Sequence, residues 1–225
     1  MLQLVHTADG SKTIFNPEIG ETYHSRHGAL QEGMHVFLNA GLRHFLADKN
    51  KSELGILEVG LGTGLNFLLS ANFCLENGLG IDYVGIVAFP LEDALICQTG
   101  YGHYVSAKLW EWFIEKYPSS INHSTELGGR CTLKTAHCKL LDFQSEKRFD
   151  IIYFDAFSAT HQPEMWSDES LAHVCQFLKM SGIFVTYAIT GNLKRSLKAL
   201  GFSIEKVAGA PGKREMLRAT KIKCV

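Results

Sequence analysis

Twelve residues, Gly55-Ile-Leu-Glu-Val-Gly-Leu-Gly-Thr-Gly-Leu-Asn66, constrain this chain more than any other stretch. Ile56–Val59 is short and apolar, as a buried parallel strand must be, and Leu65–Leu75 then repeats its apolar residues at helical spacing. Glycines 60, 62 and 64 therefore occupy a turn from strand to helix. They let the backbone take positive φ and approach a ligand closely, beside the unpaired N–H groups of a new helix. The plain alternative is a tight turn that binds nothing.

Spacing narrows the ligand. A dinucleotide fingerprint needs G-x-G-x-x-G, and Leu65 stands where its third glycine belongs. No G-K-[ST] exists, which excludes a Walker loop. Glu58, at the strand end, would repel a pyrophosphate but suits a ligand that carries positive charge.

At 225 residues and 46% hydrophobic, the chain can bury a full core. We expect residues 1–50 to form a hairpin and helix extension and 51–225 one compact α/β domain. No run of about 18 apolar residues and no signal-peptide h-region is present, so the expected location is cytoplasmic, with no membrane partner. Cysteines 74, 97, 131, 138, 175 and 224 show no C-x-x-C spacing and read as reduced thiols acting as small buried hydrophobes. His24 and His27 lack a third ligand nearby, and no metal is expected.

The net charge of −1 does not by itself point to nucleic acid. Its distribution is uneven: residues 191–225 hold nine Lys/Arg against Glu205 and Glu215. A basic C-terminal face follows, although Lys194, Arg195 and Lys198 would also be exposed on any amphipathic helix.

Leu2–Thr7 and Lys12–Phe15 flank Asp9-Gly10, a β-hairpin signal, and a helix is expected from Ala29 to Asp48. Further strands are expected at Asp82–Ala88, Cys131–Ala136, Phe149–Phe154, Gly182–Ala188, Phe202–Val207 and Met216–Ile222. Helices are expected at Pro90–Gln98, His103–Tyr117, Trp166–Leu178 and Asn192–Leu200, with a polar loop over Ser119–Arg130. This alternation predicts a mainly parallel sheet with helices on both faces and ligands at the carboxyl ends of the strands.

Two more segments carry chemistry. Ile151-Ile-Tyr-Phe-Asp155-Ala-Phe157-Ser places a carboxylate where an apolar strand enters an aromatic turn, beside the glycine turn; the alternative is a capping Asp. Gly209-Ala-Pro-Gly212-Lys-Arg-Glu-Met216 reads equally as a phosphate-binding loop or a solvated turn.

Taken together, Tyr23-His-Ser25, Gly28-Ala-Leu-x-Glu32-x-x-His35, Leu57 to Phe67, Phe89-Pro-Leu91, Tyr153 to Ser158, Gln162-Pro-Glu-Met-Trp166 and Gly212-Lys-Arg-Glu-Met216 resemble the tRNA wobble-uridine methyltransferases of the MnmC/MnmD type. The match runs in order along nearly the whole chain, and its ending resembles the stand-alone form rather than the fusion to a flavin oxidase. The resemblance implies a Rossmann-like class I methyltransferase with a seven-stranded, mainly parallel sheet. It implies methyl transfer from S-adenosylmethionine to the exocyclic amine of 5-aminomethyl-2-thiouridine in tRNA. A separate flavin oxidase, or the enzymes supplying the aminomethyl intermediate, would be partners.

By the same resemblance, Glu58, Gly60, Gly62, Thr63, Gly64, Asn66, Val87, Cys138, Lys139, Asp155 and Ala156 would hold the cofactor. Tyr23, Ser25, Phe157, Trp166, Lys213 and Arg214 would hold the tRNA, the two cations on phosphate. Asp155 would be catalytic. An alkylamine has a pKa near 10 and must lose a proton before it attacks, so Asp155 would either orient the amine or relay the proton.

Two departures fall on the cofactor site. Val87 stands where the family carries an acid for the ribose hydroxyls, and His137-Cys-Lys139 where an acid lies near the adenine; Glu92 or Asp93 would be the substitutes. A non-catalytic relative that binds tRNA or protein, or an aminopropyltransferase on the same fold, are the alternatives.

Overall fold

The computed structural model describes residues 1–223; Cys224, one of the six cysteines, lies outside the described residues. The chain opens on β1 (Gln3–His6) and β2 (Lys12–Asn16), an antiparallel pair to which β3 (Glu21–Thr22) adds a third strand. The tip of this hairpin also caps a helix. Asp9 and Ser11 accept hydrogen bonds of 2.9–3.2 Å from the backbone N–H groups of Ala29, Leu30 and Gln31, the first donors of helix α1. A Cβ on Gly28 would lie 2.5 Å from Asp9 Oδ2, so glycine is what lets the hairpin come this close. Helix α1 spans residues 29–46 and widens to π winding over Gly33–Arg43.

Next come β4 (Glu53–Val59), α2 (Leu65–Glu76), β5 (Gly80–Val87), α3 (Asp93–Cys97), α4 (Ala107–Ser120), β6 (Thr125–Gly128) and β7 (Cys131–His137). They are followed by β8 (Phe149–Phe154), α5 (Asp168–Cys175), β9 (Leu178–Thr186), α6 (Gly191–Ala199), β10 (Phe202–Ala208) and β11 (Glu215–Lys221). The main sheet has the order β10-β11-β9-β8-β4-β5-β7-β6, parallel across its five inner strands β9, β8, β4, β5 and β7 and antiparallel where β11, β10 and β6 join.

The sheet thus has eight strands where seven were expected. β6 lies within the segment expected to be a polar loop; four residues with Leu127 as the one buried apolar side chain leave no period to detect, and pairing with β7 makes the strand. Helix boundaries also shift. Regular α-helix covers only Asp93–Cys97 of the Pro90–Gln98 stretch, and α4 starts at Ala107, where the Ser106 side chain caps Leu109 N, instead of at His103. Trp166 ends a separate 3₁₀ turn, Ser167 caps α5, and Leu178 already belongs to β9.

Alternation along the strands divides the core into two layers. Ile56, Tyr83 and Tyr153 pack with Phe37, Phe67 and Phe113 on the face covered by α1, α2 and α4. Leu57, Val59, Ile152 and Phe154 pack with Leu171, Leu193 and Leu197 on the face covered by α5 and α6. Cys74, Cys131 and Cys175 are buried as expected of small hydrophobes, whereas Cys97 is exposed and Cys138 half-buried. No described helix is long and apolar enough to cross a membrane.

Candidate functional site

The glycine turn brings bare backbone to the carboxyl ends of β4, β5 and β8. Gly60 N and Leu61 N donate to Ile86 O at 3.0 and 3.1 Å, and Asp155 N donates to Val59 O at 2.9 Å, so the three strand ends are tied together. Gly60 has φ +89°, and a Cβ there would sit 2.5 Å from Asp155 O; at Gly62 it would meet the Tyr23 ring at 2.8 Å. Above this floor opens a cleft of about 1090 Å³. The N-terminal sheet walls one side through Asn16, Pro17 and Ile19, and Phe89 and Leu91 wall another.

A chain of carboxylates runs from the floor into the core. Glu58 is fully buried; its Oε2 accepts from Tyr83 OH and its Oε1 from Asn66 Nδ2, each at 2.8 Å. The same Asn66 nitrogen donates to Asp155 Oδ2 at 2.8 Å, which joins the two carboxylates through one amide. Burial pushes the Glu58 carboxyl up to about 8, against the lowering effect of its two hydrogen bonds. Asp155 is also held well above the usual carboxylate range, by burial first and then by the charges of Glu32 and Glu58; the Asn66 hydrogen bond and Lys213 act the other way. Among the described residues Asp155 Oδ1 takes no hydrogen bond, and Asn66 Oδ1 is buried without a partner.

Glu32 closes the cluster from α1. Its Oε1 receives Lys213 Nζ at 3.0 Å and its Oε2 receives Ser25 N at 2.8 Å. Lys213 Nζ also lies 3.6 Å from the centre of the Tyr187 ring, and Tyr187 OH donates to Ala156 O at 2.9 Å. The loop after β8 is pinned as well. Ser158 N and Oγ both donate to Glu21 Oε2, Tyr23 meets Phe157 edge to face at 5.1 Å, and Trp166 Nε1 donates to Phe157 O at 2.8 Å.

Of the residues singled out from the sequence, Gly60, Gly62, Val87, Cys138, Lys139, Asp155, Ala156, Tyr23 and Phe157 line the cleft. Glu58, Thr63, Gly64 and Asn66 lie under it: Glu58 and Asn66 in the carboxylate chain, Thr63 against Tyr101 OH, and Gly64 against Phe113. Ser25 and Trp166 brace the walls through backbone hydrogen bonds. Lys213, expected on phosphate, is committed to Glu32 and Tyr187, because the loop after β10 folds back over α1; Arg214 remains exposed. Glu92 and Asp93, the expected substitutes for the missing ribose acid, are exposed and outside the cleft lining. His24, buried against Thr13, lines the cleft, and burial lowers its imidazole to about 4.

Glu32, Tyr83, Tyr187 and Glu21 were not singled out as site residues from the sequence. They lie 25 or more residues from both Asp155 and Glu58, and only the fold gathers them. For a cation such as a sulfonium with an amino group, the fit is sound: a bare-backbone cradle, a roomy cleft and carboxylates directly below it.

The profile of a family described as S-adenosyl-L-methionine-dependent methyltransferase matches residues 104–222. A tRNA 5-methylaminomethyl-2-thiouridine biosynthesis bifunctional protein MnmC from Magnetococcus marinus is 28% identical over 227 residues, a match to 95% of this chain and 34% of that protein. The protein of the same name from Pseudomonas aeruginosa is 30% identical over 213 residues, 89% of this chain and 32% of that protein. The chain therefore spans about a third of the length of these curated relatives. The crystal structure of MNMC2 from Aquifex aeolicus shares the fold, with a TM-score of 0.79 at 22% identity over 100% of this chain and 71% of that one.

Proposed function

Because the chain belongs to the S-adenosyl-L-methionine-dependent methyltransferase family, we propose that it methylates the primary amine of 5-aminomethyl-2-thiouridine at the wobble position of tRNA. The product is 5-methylaminomethyl-2-thiouridine. The observation that carries this reading is Asp155: a carboxylate at the cleft floor, fixed on one oxygen by Asn66 and free on the other. When bound, S-adenosylmethionine supplies a methyl group activated by its sulfonium. Everything else is the work of this chain's residues.

The substrate amine arrives as an ammonium, with a pKa near 10 in water. Asp155, with Glu32 behind it, presents a negative field that draws this cation in. Tyr23 and Phe157 strip water from the amine and disfavour its charge. The raised proton affinity of Asp155 narrows the gap to the amine, so Oδ1 accepts the ammonium proton and passes it to solvent, and the carboxylate then accepts the remaining N–H and aligns the lone pair. Gly60 and Gly62 would hold the cofactor at the cleft floor, where its sulfonium would supply the methyl group to the amine nitrogen and leave as a neutral thioether. Lys213 offsets part of the carboxylate charge without entering the cleft.

The reaction consumes a free amine, and a flavin-dependent oxidase or a comparable amine-releasing enzyme is the proposed partner. A tRNA substrate also supports a cytoplasmic location. Calorimetric titration of S-adenosylmethionine, followed by an assay on tRNA bearing 5-aminomethyl-2-thiouridine, tests the reading. Micromolar binding and addition of one methyl group support it. No cofactor binding, or transfer to free polyamines in place of tRNA, refutes it.

A further inference from the structure

The cleft is ill suited to hold RNA by charge. Its lining carries Glu18, Asp142, Asp155, Glu164 and Glu169, with Lys139 as its one Lys or Arg among the described residues. A polyanion brought to such a rim needs cations elsewhere on the surface.

The structure holds them on one face. A second depression, of about 510 Å³, is lined by Gly191, Lys194, Arg195, Lys198, Ile204 and Lys206. Buried Leu193 and Leu197 anchor the opposite side of α6 to the sheet, and Thr190 Oγ1 caps the helix at Leu193 N, so the basic side faces outward. Three other cations of the basic C-terminal segment are already engaged. Lys213 is held by Glu32, Arg218 by Glu205 and Ala40 O, and Lys221 by the carbonyls of Cys175 and Leu178. Among the described residues the ammonium groups of Lys194 and Lys198 have no ion pair or hydrogen bond, and Lys206 meets Glu215 only at 3.6 Å.

We infer that this α6/β10 face docks the phosphodiester backbone of the tRNA substrate. The inference rests on the function proposed above for its choice of nucleic acid. Lys194 follows Tyr187, a wall of the carboxylate cluster, by seven residues, which puts their Cα atoms within about 25 Å even for an extended chain. The face adds sequence-independent affinity and register, while the cleft reads the modified base.

Lys194→Gln combined with Lys198→Gln tests this on the full chain, with equilibrium binding to tRNA measured across salt concentrations. Each phosphate contact contributes roughly 0.7–0.9 to the slope of log affinity against log salt, so the double variant should lower the slope by about 1.5. KM for tRNA should rise about tenfold in the methylation assay with kcat within about twofold. Calorimetric affinity for S-adenosylmethionine should not change, which controls for folding. A wild-type slope in the double variant overturns the docking face even if methylation proceeds. Failure of the wild-type chain to methylate tRNA, with the slope still reduced in the variant, refutes the proposed reaction and leaves the RNA-binding face standing. Absence of tRNA binding by the wild-type chain overturns the face.

Discussion

Lys213 Nζ meets Glu32 Oε1 at 3.0 Å, joining a loop near the end of the chain to the first helix across 181 residues. The Glu32 side chain is 6% exposed and the Lys213 side chain 34%, so the pair is half in the core and half at its edge. Its place behind Asp155 makes it a counter-charge for the cleft. It also occupies Lys213, which was expected on phosphate.

Lys213→Met should therefore cost stability, about 1–3 kcal/mol, because it strands a buried carboxylate. It should leave the salt dependence of tRNA binding unchanged. Urea melts of Lys213→Met, Glu32→Gln and the double variant form a cycle whose coupling should exceed about 0.5 kcal/mol. Additive single effects would show that the pair contributes nothing.

Asp155→Asn keeps the shape of the cleft floor and removes the proton acceptor. Methylation should fall by at least about 100-fold while affinity for S-adenosylmethionine stays within about tenfold. In the unaltered protein, methylation should decline as pH falls through the raised pKa of Asp155, because protonation fills the acceptor; the decline should begin well above the usual carboxylate range. Turnover near normal in the variant would remove Asp155 from the reaction.

Glu58 makes a prediction about stability. Burial pushes its carboxyl up to about 8 in the folded chain, from an ordinary value of 4.5, so the folded state holds the proton more tightly. Stability from this group is complete below about 4.5 and is lost as pH rises toward 8. Glu58→Gln should remove that loss, so its melting temperature relative to the unaltered protein should climb between those pH values. A difference that does not vary with pH would mean that Glu58 stays ionised in the fold.

Val87 ends β5 with its side chain at the cleft wall, 9% exposed. Val87→Glu should tighten S-adenosylmethionine binding about tenfold, the worth of one hydrogen bond to a charged group, as read by calorimetry. Unchanged or weaker binding would show that the ribose lies away from this wall.

Local rules reached far along this chain. The glycine turn and the apolar strands are short-range effects, and they specified a mainly parallel α/β sheet with a strand-to-helix turn at Gly60–Gly64. Asp155 was legible because an ionisable residue ending an apolar strand is conspicuous. Tertiary structure decided the rest. β6 exists by pairing with β7, and Lys213 is an internal ion-pair partner because the chain returns to α1. Glu58, Asn66 and Asp155 share one amide because neighbouring strands end together, and their raised proton affinities come from burial. Burial and charge pairing depend on what distant segments bring near, which residue type and spacing do not encode.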